Sequence, residues 1–133
     1  DGPGHTYLAV FGMDAAAGVL AQPSPDNPLE TGRTSLRAVF QGGPARGVHV
    51  LGWWRGIQRF SDDVGGAGMR EDVACLVALN VSDSALGSHL AQHTLQWNPR
   101  PNRALMIDLH EGRSSLIVPF VRPGRQHDGG GLR

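Results

Sequence analysis

The run Val73–Val81 (VACLVALNV) is apolar almost without a break. A strand with one face in water alternates apolar and polar residues. An unbroken run instead suits a strand covered on both faces, as in a parallel sheet between helical layers. A fold for this chain therefore has to supply two covering layers. Two other runs, His5–Phe11 (HTYLAVF) and Val48–Trp54 (VHVLGWW), are also short, apolar and β-prone. The pattern predicts that Tyr7–Phe11, Val48–Leu51 and Val73–Leu79 lie side by side and parallel at the centre of one sheet.

Helical signals fall between these runs. Asp14–Leu20 reads as a short helix with Asp14 as N-cap. Ala21–Gly32 carries three prolines and reads as a loop. Thr34 or Ser35 can cap a helix whose apolar face is Leu36, Val39 and Phe40, and Gly42-Gly43-Pro44 ends it. Arg55–Arg70 reads as a glycine-rich loop with one helical turn, bearing Asp62-Asp63. Ser82 or Asp83 caps a helix to about Gln92, followed by a loop with Pro99 and Pro101. Arg103–Leu109 and Ser115–Val121 form a hairpin around His110-Glu111-Gly112-Arg113. Pro119 places the last strand at a sheet edge. Residues 1–122 are expected to form one α/β domain with a three-layer core, a mainly parallel sheet and a C-terminal hairpin. Residues 123–133 (PGRQHDGGGLR) read as a disordered tail.

Charge and composition exclude several chemistries. The 133 residues suit one domain, and 12 basic residues balance 12 acidic ones. That balance argues against a polybasic nucleic-acid arm or membrane patch. All the basic residues are arginine, so no lysine is present for a Schiff base, a lysine general base or a phosphate loop. The single cysteine, Cys75, excludes an internal disulfide and a cysteine-cluster zinc site. It reads as a small core residue in a reduced, cytoplasmic protein. No apolar run approaches the roughly 18–20 residues that cross a bilayer.

The remaining motifs are sparse. His89 and His93 stand at i and i+4 of the predicted helix and share a face, with Leu-Ala-Gln between them and no glutamate base. A third ligand from His110 or Asp108 is not fixed by spacing, so no metal site is expected and the pair reads as solvated. Ser114-Ser115 lack a Gly-x-Ser-x-Gly setting. Gly65-Gly66-Ala67-Gly68 and Gly129-Gly130-Gly131 lack the strand, helix and lysine of a phosphate loop.

Leu36–Arg55, LRAVFQGGPARGVHVLGWWR, carries a helix, an Ala-Arg-Gly turn and a Val-His-Val-Leu strand. This order resembles the motor domain of FtsK–SpoIIIE-type DNA translocases. Leu79–Leu90 (LNVSDSALGSHL) resembles that family's strand followed by Val-Ser-x-x-x-Asp-Ser-Arg. Asn102–Met106 and Leu116–Val121 resemble its Gly-Asp-Met-Leu and closing strands. His5–Phe11 falls where the family has its Walker B strand.

The resemblance implies the C-terminal half of a RecA-like motor domain whose phosphate-loop half lies in a missing N-terminal part. It implies ATP and Mg²⁺ in the parent protein, a hexameric ring and double-stranded DNA as partner, with no cofactor held by this chain alone and no membrane contact by this segment. Asp14 stands close to the family's Walker B carboxylates, displaced by Gly12-Met13. Arg55 follows the sensor-like strand, where Trp53-Trp54-Arg55 replaces Thr-Gln-Arg. Asp14 and Arg55 are therefore the candidate catalytic residues. Trp54 is expected to stack on the Arg55 guanidinium, and the alternative for Arg55 is an ion pair with Asp62 or Asp63. The departures at Gly12-Met13 and Trp53-Trp54 also suit a non-catalytic module used for ring assembly, as in type VII secretion ATPases.

Overall fold

The computed structural model describes residues 4–66, 71–90 and 96–120. Its elements are β1 (Thr6–Val10), α1 (Ala17–Leu20), α2 (Gly32–Gly42), a 3-10 turn (Pro44–Arg46), β2 (Val48–Gly52), α3 (Ile57–Val64), β3 (Cys75–Ala78), α4 (Asp83–Leu90), β4 (Ala104–Asp108) and β5 (Arg113–Ile117). The expected tail, and Ala91, Gln92 and His93 around the end of the expected fourth helix, lie outside the described residues.

The chain is mixed α/β, but its strands divide between two sheets among the described residues. β1 and β2 pair in parallel, from Thr6 opposite Val48 to Val10 opposite Gly52. This is the crossover expected from the first two apolar runs, with α2 in the connection. β3, β4 and β5 form an antiparallel sheet in that order. The mainly parallel sheet with three central strands is thereby corrected: β3 pairs with β4, antiparallel, and not with β1 or β2.

Burial along β3 explains why its apolar run misled. Ala78 is buried and Leu76 half-buried, whereas Cys75 and Val77 are exposed. One face of the strand is covered and the other open, so the run alternates in burial although not in polarity. The covered face meets α4. Ala78, Leu86, Leu90, Trp97, Leu105 and Ile107 form the main core cluster. In the sheet, Leu76 stands opposite Ile107 and Ala78 opposite Leu105, so these cross-strand pairs feed one core. Trp97 closes it and donates its indole N–H to the Val81 carbonyl at 2.8 Å, which pairs the one polar atom of the ring. The C-terminal hairpin is present, with Asp108 opposite Arg113. The Asp108 carboxylate accepts the backbone N–H groups of His110 and Glu111 and fixes the turn. β5 is an edge strand as expected, although it ends at Ile117, before Pro119.

The helices differ from expectation in three places. α2 starts a turn early, because Thr31 is its N-cap and accepts the Thr34 N–H. Arg55–Arg70 contains a true helix, α3, which buries Phe60, Asp63 and Val64 and ends on Gly65 at φ 104°. Asp14 caps nothing: the N-cap of α1 is Ala16, without a side-chain bond. α4 begins as expected, with Ser82 Oγ accepting the Ala85 N–H. No helix among the described residues is long and apolar enough to cross a membrane.

Candidate functional site

The carboxyl ends of β1 and β2 lie together because the strands are parallel. The segments leaving them are laced to each other: Trp53 donates to the Val10 carbonyl at 3.0 Å, and Met13 donates to the Trp53 carbonyl at 2.9 Å. Gly12 makes the turn out of β1 at φ 86°, a conformation that favours glycine. The lacing brings the two candidate residues into contact. Asp14 Oδ2 accepts the backbone N–H of Arg55 at 2.9 Å, across 41 residues of sequence. The Asp14 carboxylate is half-buried and the Arg55 residue exposed. The end of a parallel strand pair is where open α/β sheets bind ligands.

These residues do not by themselves fit a magnesium nucleotide. Met13, at the position where the family resemblance calls for a carboxylate, is buried in the core. Asp14 spends one oxygen on a backbone N–H, and the chain has no lysine to meet phosphates.

Behind the strand ends lies a cluster that sequence reasoning missed. Asp63 is 0% exposed. Its carboxylate accepts Arg33 Nε at 3.2 Å on Oδ1, and Arg59 Nε at 2.9 Å and Trp54 Nε1 at 3.0 Å on Oδ2. Arg37 Nε donates to the Asp63 carbonyl at 3.2 Å, and its Nη2 to the Asp62 carbonyl. A buried carboxylate is tolerated when its lone pairs are taken and opposite charge stands beside it. This one meets both conditions and ties α2, α3 and the end of β2 together. The signal was present as Arg33 and Arg37, and Arg59 and Asp63, each pair four apart on a helix face.

The cluster corrects both readings of Arg55's surroundings. Asp63 belongs to Arg33, Arg59 and Trp54, and the Asp62 side chain accepts from Gln58 at 3.0 Å. Arg55 is thus not paired with either carboxylate. Trp54 turns inward, edge-on to Phe60 at 5.1 Å, with its N–H on Asp63, instead of holding the Arg55 guanidinium. Trp53 is 48% exposed and is not a core residue.

The other singled-out residues are dispersed. His89 is half-buried and packs edge-on to Phe60 at 5.4 Å, so it is not a solvated histidine. Asp108 ends β4 and His110 lies in the β4–β5 turn. No group of three or more metal-ligating side chains occurs among the described residues. Cys75 is exposed and not a core residue. Partial burial of the thiol, then the neighbouring Asp108 charge, push its pKa up. Gly65-Gly66 serve as the end of α3, both at positive φ.

Compared with protein families, with characterised proteins and with solved structures, the chain matches none.

Proposed function

We propose that this chain is part of an ATP-driven DNA translocase of the FtsK–SpoIIIE type, serving chromosome segregation or conjugative DNA transfer. The phosphate loop belongs to an N-terminal half, and the complete motor domains assemble as a hexameric ring around double-stranded DNA. The observation that carries the reading is the meeting of Asp14 and Arg55 at the carboxyl ends of two neighbouring parallel strands. A parallel pair with apolar residues open to solvent supports it as well. Tyr7, Leu8 and Leu51 in the strands and Phe11 just beyond are exposed, although parallel sheets are built to be covered. On this reading β1 and β2 belong to a sheet that strands of the N-terminal half complete; the antiparallel pairing of β3 with β4, at the edge of a separate sheet, counts against a RecA-like core.

A second reading, a non-catalytic module for ring assembly or protein interaction, is favoured by the buried Met13 and by the use of Asp14 to hold Arg55's backbone.

The test is the parent protein. The sequence encoded before Asp1 should contain Gly-Lys-Ser/Thr, and Arg55→Ala in the intact parent should cut DNA-stimulated ATP turnover by one to several orders of magnitude. The 133-residue chain alone should release no phosphate above a buffer blank. An intact parent whose turnover is untouched by Arg55→Ala leaves the assembly reading. A parent without a phosphate loop removes the translocase reading.

A further inference from the structure

A groove lies at one end of the antiparallel sheet, where β3 and β5 end and β4 begins. Its wall is the turn into β4, Arg100-Pro101-Asn102-Arg103. The Arg103 N–H donates to the Arg100 carbonyl at 3.2 Å, Pro101 takes the second position and Asn102 the third, at φ 52°. The first and fourth residues of such a turn stand within about 7 Å of each other at Cα. The turn thus sets two arginines side by side. The Asn102 side chain fastens it to the segment that leaves β5: its amide donates to the Phe120 carbonyl at 2.7 Å, and its Oδ1 accepts the Phe120 N–H at 3.1 Å. Phe120 is thereby held beside the two arginines, 66% exposed.

We infer that this groove binds a small phosphate monoester carrying a flat aromatic ring, the chemistry of a nucleoside 5′-monophosphate. Charge argues for the phosphate. Arg100 and Arg103 both line the groove, and no carboxylate does. Neither arginine has an ion pair among the described residues. Arg103 gives one N–H to the Asn102 carbonyl at 2.9 Å, which steadies the guanidinium and leaves its other donors without a partner among those residues. A phosphate monoester brings nearly two negative charges at pH 7 and three acceptor oxygens, enough for both guanidiniums, whereas a carboxylate brings one charge. Shape argues for the ring. Phe120 and three prolines, Pro99, Pro101 and Pro119, give the groove flat apolar walls, and an exposed aromatic face stacks on any base. Size argues for a free small molecule. The groove holds about 360 Å³, at the small end of ligand pockets. The chain's balanced charge lacks the basic excess that tracks a long nucleic acid. The groove belongs to the antiparallel sheet, and Asp14 and Arg55 to the ends of the parallel pair, so it does not depend on the chemistry proposed for those residues.

The test titrates the full chain with AMP by calorimetry, and in parallel with adenosine, with ribose 5-phosphate and with a 5′-phosphorylated single-stranded tetranucleotide. The expected result is one AMP per chain, held at least 10-fold more tightly than either adenosine or ribose 5-phosphate, with the tetranucleotide no tighter than AMP. Arg103→Gln removes a charge-assisted bond and should weaken AMP about 10-fold or more. Where Arg103→Gln lowers the melting temperature, Arg100→Gln, whose side chain makes no bond among the described residues, reads the same loss of charge. Phe120→Leu keeps the backbone bonds to Asn102 and removes the ring. It should weaken AMP about 10-fold and leave ribose 5-phosphate unchanged. Arg46→Gln, an exposed arginine of the 3-10 turn, should bind as the parent does. No saturable AMP binding, AMP binding unchanged in the arginine variants or in Phe120→Leu, or ribose 5-phosphate held as tightly as AMP would overturn the assignment. A tetranucleotide bound much more tightly than AMP would overturn it in favour of a single-stranded nucleic acid.

Discussion

Trp54 donates its indole N–H to the buried Asp63 carboxylate at 3.0 Å, and through that bond the end of β2 is fastened to α3. Arg33 brings α2 to the same carboxylate. Asp63→Asn keeps the shape and removes the charge, leaving the Arg33 and Arg59 guanidiniums without their counter-ion. Breaking one partner of a buried ion pair costs about 3–5 kcal/mol, and the partial exposure of both arginines places this case at the low end. The urea midpoint should fall by an amount equivalent to about 3 kcal/mol with unchanged slope. A loss below about 1 kcal/mol would show that the cluster is no better than a surface pair.

Gly52 should not accept a side chain. A Cβ built there falls 2.3 Å from the six-membered ring of Trp54, and that ring is held by Asp63 and Phe60. Gly52→Ala should therefore displace the indole, costing about 1–3 kcal/mol as an overpacked site. The near-ultraviolet circular dichroism of Trp54 should change with it. An unchanged spectrum and melting temperature would mean the ring moves aside freely.

Trp97 separates packing from hydrogen bonding in the main core. Trp97→Phe retains a ring and loses the bond to the Val81 carbonyl, a loss of about 1–2 kcal/mol. Trp97→Ala should cost about 3–5 kcal/mol through the cavity it leaves among Leu86, Leu90, Leu105 and Ile107. Equal losses for the two variants in denaturant titrations would contradict this division.

Cys75 should alkylate slowly despite its exposure. Partial burial of the thiol and then the Asp108 charge both disfavour the thiolate, so its pKa lies above the ordinary value and the reactive fraction at pH 8 is reduced. Asp108→Asn preserves an acceptor for the turn N–H groups and removes the charge. It should lower the thiol pKa and shift the pH profile of iodoacetamide reaction downward, without reaching free cysteine, because the burial remains. A profile that does not move, or moves up, would remove Asp108 as a cause.

The strands were legible in the sequence because apolar β-prone runs end sharply at glycine, proline and charge. All five fall within or beside those runs. Their pairing was not legible. Val73–Val81 looks alike whether one face is covered or two, and only the structure shows Cys75 and Val77 in solvent. α3 was missed because its glycine-rich flanks and paired aspartates resemble a loop, although Ile57, Phe60 and Val64 hold helical spacing. Asp14 and Arg55 were found through the family resemblance, and the structure puts them in contact by a backbone N–H that no side-chain pattern announces. The Asp63 cluster draws on α2, α3 and the end of β2, so Arg33, Arg37 and Trp54 reach it from separate stretches of sequence and are unremarkable one at a time.

The register of β1 on β2 also sets an order of events in folding. β4 and β5 are joined by a tight turn and can zip within microseconds of the turn forming. β1 must instead wait until the loop, α2 and the 3-10 turn have been traversed before Thr6 can find Val48. The closure entropy of so long a segment precedes any reward from pairing. The hairpin and its α4 core are thus the early structure, and the parallel ribbon whose carboxyl ends position Asp14 and Arg55 is the late one. A pulse of hydrogen exchange during refolding would protect the amides of β4 before those of β1.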